Sequence, residues 1–244
     1  VTILIYQDNV SANGALYTAL CRLFGKASVH LVNAHEVIGG ALDGEVSLFV
    51  MPGGAARYKA AKLQGAGHAR ILDYVARGGA YLGICAGAYY ACTSIEWARG
   101  TPYEIRTADT LALFNGRAIG PIDAFSPAGS YNGSAPRLIT LDMNGKRSRT
   151  LYWGGCHFQA EPGSTAEIVA RFADLPDAPA AIVAGGHGKG RWLLSSPHIE
   201  YDAQALDLID FDVTANDYAE IRTLGDWSDL TLHTFETLLA RYLL

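Results

Sequence analysis

Through the first hundred residues short apolar runs alternate with longer amphipathic ones, and that alternation leaves few architectures open. The runs "TILIY" (2–6), "SVHLV" (28–32), "VSLFVMP" (46–52) and "AYLGICA" (80–86) are brief, rich in Val, Ile and Leu, and bounded by glycine or polar residues. Such runs read as strands buried on both faces. Between them, "NGALYTALCRLFG" (13–25) spaces Leu16, Leu20 and Leu23 at helical intervals and closes on Gly25, a C-cap residue. "HARILDYVAR" (68–77) does likewise with Ile71, Tyr74 and Val75 and stops at Gly78-Gly79. Alternating strands and helices predict a doubly wound α/β fold, a mostly parallel sheet with helices on both faces.

The second half changes character. Turn signals crowd residues 100–163 ("NGR", "PAG", "YNGS", "MNGK"), and "RLITLDM" (137–143) and "RTLYWGG" (149–155) have the look of antiparallel strands, so a β-rich insertion or the far edge of the sheet is expected there. "AAIVAGGHGKGRWLLSSPHIE" (180–200) suggests a hairpin whose second strand carries His198 and Glu200 at its carboxyl end. "GGHGKGR" lacks the spacing of a phosphate loop and is read as the hairpin turn. In the terminal segment 229–244, Leu232, Phe235, Leu239 and Tyr242 fall on one helical face.

Bulk properties narrow the function. A chain of 244 residues, half of them hydrophobic, is long enough for one sizeable core, and a single domain over 1–244 is expected. The net charge of −5 and the scattered Lys and Arg argue against nucleic acid and anionic lipid as partners. No run approaches the length that crosses a bilayer. The chain begins at Val1, so a removed leader stays open and a cytoplasmic location is only the default. Cys21, Cys85, Cys92 and Cys156 form no C-x-x-C pair, and His30, His35, His68 and His233 have no second ligand at metal-like spacing. No metal and no cofactor is expected.

Chemistry concentrates at Gly83-Ile84-Cys85-Ala86-Gly87. A nucleophile on a sharp strand-to-helix turn needs small neighbours, the mechanical content of the G-x-S-x-G elbow, here with cysteine. Main-chain amides opening a helix also favour the thiolate. The alternative is an inert buried cysteine in a tight turn. Two other segments bear on the choice. "VMPGG" (50–54) ends a strand with Gly53 and Gly54, whose amides, with that of Ala86, are placed to serve as oxyanion donors. "SSPHIEYD" (195–202) puts Glu200 two residues after His198, on one side of an extended strand, so that His198 serves as base and Glu200 orients it.

In the order PGG, GxCxG and HxE, these pieces resemble class I glutamine amidotransferase-like domains. With "GGAYLGICAGAYYA", "LFNGRAIGP" and "YWGGCHF", the chain is similar, from the first strand to about Asp202, to the biotin-protein ligase N-terminal-like family. The resemblance implies a Cys85–His198–Glu200 triad acting on an amide or acyl group through a thioester. It does not imply biotin ligation, which in those ligases belongs to a separate domain whose glycine- and arginine-rich nucleotide loop is missing here. Where amidotransferases read G-x-C-x-G-x-Q, this chain has Tyr89, so the glutamine-holding contact is absent.

Further candidates for contact with a small-molecule substrate are Asp8, Tyr89, Trp153 and His157. Asp8 follows the first strand, where related cysteine proteins carry an acidic residue at the thiol; a solvated loop aspartate is the plainer expectation. "LYWGGCHF" (151–158) reads either as a cleft border or as a glycine-mediated close approach within an aromatic core. Two other functions stay open: a binding module with a small-molecule or protein partner and no turnover, and a redox sensor acting through Cys85, with Cys92 or Cys156 as a pairing thiol.

Overall fold

The computed structural model describes residues 1–125, 136–202, 204–205 and 232–244. The amino-terminal apolar runs form β1 (Ile3–Tyr6), β2 (Val29–Val32), β3 (Leu48–Met51) and β4 (Ala80–Ile84). Between them lie α1 (Gly14–Phe24), α2 (Ala34–Ile38), α3 (Ala56–Leu63) and α4 (Ala66–Ala76). These strands pair in parallel in the order β2-β1-β3-β4. A strand from far along the chain, β13 (Gly190–Ser195), adds parallel to β4.

Successive side chains of these strands enter two different cores. Ile3, Ile5, Leu48, Val50 and Leu82 pack with Leu16 and Leu20 of α1 and with Phe235 and Leu239 of α6 (Leu232–Tyr242). Leu4, Phe49, Met51 and Tyr81 pack with Val37, Leu63 and Ile71 of α2, α3 and α4. In β1, β3 and β4 both faces are dry, so these strands need no polar residue at alternate positions, while the edge strand β2 exposes His30 and Leu31. In α6, Leu232 and Tyr242 join Phe235 and Leu239 on the packed side as their spacing predicts; residues 229–231 lie outside the described residues.

The middle of the chain supplies both a sheet edge and a branch. After α5 (Ala86–Tyr90) come β5 (Cys92–Trp97), β6 (Ile105–Thr107), β7 (Phe114–Gly120), β8 (Arg137–Met143), β9 (Lys146–Tyr152), β10 (His157–Ala160), β11 (Glu167–Phe172) and β12 (Ala180–His187). The sheet continues from β13 in the order β12-β10-β7-β5-β6, antiparallel except between β5 and β7. From β12 a second arm, β11-β8-β9, branches off.

The expected hairpins form at "MNGK", where Asn144 and Gly145 take φ of 55° and 86° between β8 and β9, and at "GGHGKGR", where His187 pairs with Gly190. "NGR" is not a turn. It lies inside β7, where a Cβ on Gly116 would meet the Phe114 ring at 2.3 Å and the Gln159 carbonyl at 2.6 Å; the glycine there serves strand packing. "PAG" and "YNGS" lie outside the described residues. Among the described residues no helix is long and apolar enough to cross a membrane.

Placement of α5 decides where the site lies. A Cβ on Gly87 would sit 1.9 Å from the Met51 carbonyl oxygen, and one on Gly83 would sit 2.7 Å from the Gly87 carbonyl oxygen. The two glycines that bracket Cys85 therefore let α5 lie directly on the carboxyl ends of β3 and β4. Tyr81 locks the contact by donating its hydroxyl to the Gly87 carbonyl at 2.9 Å. Gly87→Ala is expected to destabilise the protein by about 2 kcal/mol or more, the cost of overpacking against backbone that cannot turn aside. Urea unfolding of the variant beside the wild type measures it.

Candidate active site

Cys85 occupies the single residue between β4 and α5, at φ 49° and ψ −108°. A side-chain-bearing residue in that region is strained and persists only where its surroundings hold it. They do so here. The Cys85 amide donates to the Ser195 carbonyl at the end of β13 at 2.8 Å, and its own carbonyl accepts from the amides of Ala88 and Tyr89, each at 3.0 Å. Cys85 is 6% exposed and lines a cavity of about 930 Å³, and its thiol donates to the Trp153 carbonyl at 3.5 Å.

His198 and Glu200 meet, but not along an extended strand. β13 ends at Ser195; in the segment that follows, His198 forms an isolated bridge and Glu200 lies in the turn just after it. The turn is pinned to β9: the His198 amide donates to the Leu151 carbonyl at 2.8 Å, and Thr150 donates its hydroxyl to the His198 carbonyl at 3.2 Å. Glu200 Oε1 lies 2.8 Å from His198 Nδ1, which leaves Nε2 for the cavity. Both side chains are almost wholly buried.

Burial works against a charged ring, but the Glu200 carboxylate and the Cys85 side chain outweigh it and push the His198 pKa up to about 10. The Tyr201 ring closes over the imidazole edge to face at 5.4 Å. Beyond it, Asp202 is tied to α1 by Arg22 at 2.6 Å.

Gly53 and Gly54 lie beside the imidazole and the cysteine. A Cβ on Gly53 would lie 3.0 Å from His198 Cε1 and 3.7 Å from both His198 Nε2 and Cys85 Cβ, so this backbone sits between ring and thiol. Gly53 bridges to Ala12. Gly54, at φ 115°, lies under the loop after β1, since a Cβ there would be 2.0 Å from the Val10 carbonyl oxygen. Gly54 and Ala86 line the cavity beside Cys85.

Asp8 is not a solvated loop residue. Its side chain is 1% exposed, accepts from the Ser11 hydroxyl at 2.8 Å and the Val10 amide at 3.0 Å, and lies 4.0 Å from the wholly buried ammonium of Lys59. Asp8 faces this pair rather than the cavity. Burial pulls the Lys59 pKa down to about 8, against the opposing pull of Asp8 and Cys85. Sequence reading missed Lys59, although its position in α3 carried a signal: it stands four residues before Leu63 and beside Ala60, on the buried side of the helix.

The remaining candidates divide. Tyr89 lines the cavity, donates to the Gly154 carbonyl at 3.2 Å and meets Trp97 edge to face at 5.7 Å; Tyr90 is core. Trp153 lines the cavity. His157 does not: it opens β10, half-buried, paired with Ile119. Close approach of backbone is also present in this segment, a Cβ on Gly155 reaching 2.4 Å from Ser196 Oγ. All four cysteines are free, and burial pushes the Cys92 and Cys156 thiols up. Among the described residues no three His, Cys, Asp or Glu side chains cluster as a metal site.

The family model for the N-terminal region of biotin-protein ligase matches residues 1–243. The chain belongs to that family. An uncharacterized protein of Chlamydia muridarum is 40% identical over 187 residues, which cover 75% of this chain and 68% of that protein. A biotin–protein ligase of Schizosaccharomyces pombe is 27% identical over 224 residues, 86% of this chain but 35% of the ligase. Among solved structures, PurLQS from Thermotoga maritima superposes with a TM-score of 0.57 at 14% identity, covering 98% of this chain and 97% of the matched one. A β-galactosidase from Bacillus circulans sp. alkalophilus reaches 0.50 at 12% identity over 82% of this chain and 29% of its own. Identities so low speak for the fold alone, and it is the doubly wound, class I glutamine amidotransferase-like fold that the motifs led us to expect, although with the β-rich half joined to it the whole sheet is mixed rather than mostly parallel.

In this ligase N-terminal family member the His198–Glu200 pair makes stability depend on pH. The folded pKa of His198 lies above the ordinary value of 6.5, so the stabilisation is complete below about pH 6.5 and is lost as pH climbs toward 10. Glu200→Gln should therefore destabilise most near pH 6, by on the order of a few kcal/mol, with the gap to wild type narrowing between pH 7 and 10. Urea titrations at pH 6, 8 and 10 measure it.

Proposed function

We propose that this protein is a cysteine-dependent acyl-transfer enzyme, hydrolase or amidotransferase-like, acting on an amide or related small molecule through a thioester at Cys85. The observation that carries the reading is the convergence, from segments more than a hundred residues apart, of a strained cysteine and a buried His198 held by Glu200, with cysteine and histidine lining one cavity.

In this reading Cys85 Sγ attacks the substrate carbonyl carbon and a C–S bond forms. The oxyanion is held by the main-chain amides of Gly54 and Ala86. The tetrahedral adduct collapses with cleavage of the C–N bond, and the departing amine takes a proton from His198 Nε2. Water then attacks the thioester, gives a proton back to the ring, and releases the acid and the Cys85 sulfur. Glu200 keeps the ring oriented and supports its charge throughout.

Cavity size and lining bear on the substrate. About 930 Å³ lies at the upper end of the range for sites that hold drug-sized ligands, far more than free glutamine needs. Tyr89, Trp97 and Trp153 present aromatic surface beside the thiol. A broad, largely apolar acyl or amine portion suits these walls better than a small zwitterion does.

A second reading, a binding module without turnover, draws support from the ligase relative, 35% of which aligns with this chain. The two separate experimentally. With an activated ester, the enzyme reading expects a thioester located on Cys85 by mass spectrometry, none in Cys85→Ala, and formation slowed about a hundredfold at neutral pH in His198→Ala. Absence of any Cys85 adduct in the wild type, or labelling indifferent to His198, overturns the enzyme and favours the module.

A further inference from the structure

Lys59 is the charged group that the scheme above leaves unused, and a lysine at 0% exposure needs a reason. Its ammonium donates to Ser11 Oγ at 3.1 Å, stands 4.0 Å from Asp8 Oδ2, and lies 5.2 Å from the centre of the Tyr6 ring. Ser11 Oγ donates in turn to Asp8 Oδ1 at 2.8 Å and accepts from the Asp8 amide at 3.2 Å. One helical turn along α3, Lys62 donates to Asn9 Oδ1 at 2.9 Å. Helix α3 thus grips the loop after β1 at two points, the inner one buried and ionic.

That loop presses on the oxyanion glycines. Ala12 bridges Gly53, and the Val10 carbonyl and Ser11 Cα lie 2.0 and 3.3 Å from where a Gly54 Cβ would stand. Gly54 immediately precedes Ala55, the residue before α3, so loop, glycines and helix form a closed circuit: β1 leads into the loop, the loop covers Gly54, Gly54 leads into α3, and Lys59 returns to the loop. Opening the circuit at Lys59 leaves Gly54, a glycine with no side chain to fix it, free to rotate its peptide plane.

We propose, building on the acyl-transfer reading, that Lys59 is a positioning residue: with Ser11 and Asp8 it braces the 8–12 loop over Gly53 and Gly54 and so aims the Gly54 amide at the carbonyl oxygen of an acyl group on Cys85. It touches no reacting atom. The surface tether from Lys62 to Asn9 is exposed and adds little.

The test separates two reactions of the same sulfur. With 4-nitrophenyl acetate, Cys85 forms a C–S bond to the acetyl carbon and expels 4-nitrophenolate, passing through an oxyanion. With iodoacetamide it displaces iodide and no oxyanion forms. In wild type, Lys59→Met, Lys59→Arg and Ser11→Ala, both rates at Cys85 are measured by intact mass across pH, and their ratio is taken at each variant's alkylation plateau. A brace for the oxyanion donors predicts that the acylation-to-alkylation ratio falls about tenfold in Lys59→Met and is largely restored in Lys59→Arg. A residue that only supports folding lowers both rates together and leaves the ratio in place.

A fall of less than about threefold in Lys59→Met overturns the proposal. Should that variant fail to fold, Ser11→Ala, which keeps both charges and removes the bridging hydroxyl, decides by the same threshold. If the wild type itself gives no acetyl thioester on Cys85, the acyl-transfer reading fails and carries this inference with it; if the wild type acylates and the ratio stays fixed, only the brace fails.

Discussion

The contact between the backbones of Gly87 and Met51 governs the rest of the site. Because nothing larger than a hydrogen fits there, α5 can begin one residue after β4 ends, and that residue has no conformation available except a left-handed one. Cys85 is thus displayed at the carboxyl edge of the parallel strands, where open α/β sheets place their ligand crevices. Strain is stored at the thiol and offset by the amide and carbonyl bonds to Ser195, Ala88 and Tyr89. A looser junction would let the cysteine relax into the strand or the helix, and in either case the sulfur would turn away from the cavity.

Two buried ion pairs converge on this edge. His198–Glu200 follows β13, and Lys59–Asp8 joins α3 to the loop after β1. Removing charges from water costs several kcal/mol per ion, and the attraction within a pair seldom returns more than that, so neither pair is an efficient way to stabilise a fold. Each instead ties down a segment without regular structure of its own: one the turn that carries the imidazole, the other the loop that covers Gly54. The electrostatic cost falls where main-chain geometry matters and where apolar packing offers no directional hold.

How much of this was legible in the sequence follows from the range of the interactions. The parallel strands and α1, α4 and α6 showed because a two-sided apolar strand and a one-sided helix leave distinct local periods. Cys85 showed through its flanking glycines, and His198 with Glu200 through their spacing, although the reason given for that spacing was wrong: a turn, not a strand, brings the two side chains together. Asp8 was misjudged for a related reason. Its burial depends on a lysine 51 positions later, and no local pattern reports that partner. "NGR" misled because asparagine-glycine favours a turn locally, whereas Gly116 and Arg117 pair with β10, and Phe114 and Arg117 on either side of a register shift pair with β5, which holds the segment in the sheet.

The antiparallel second half, whose strand order no local pattern revealed, proves necessary to the site. β13 alone would deliver His198 only to the sheet edge, with its ring free to swing. The bridge from His198 to Leu151 of β9 fixes the turn from outside the parallel sheet, and β9 reaches that position only because β8, β11 and β12 carry it there as one branch. Immediately after β9, Trp153 and Gly154 supply the carbonyls that receive the Cys85 thiol and the Tyr89 hydroxyl. The β-rich branch therefore holds the imidazole and the far wall, while the parallel half holds the thiol and the glycine amides. Relative placement of the two halves, set where β4 meets β13, fixes the geometry between sulfur and ring. Substitutions along that shared seam should accordingly disturb their alignment more than equally buried substitutions elsewhere in either core.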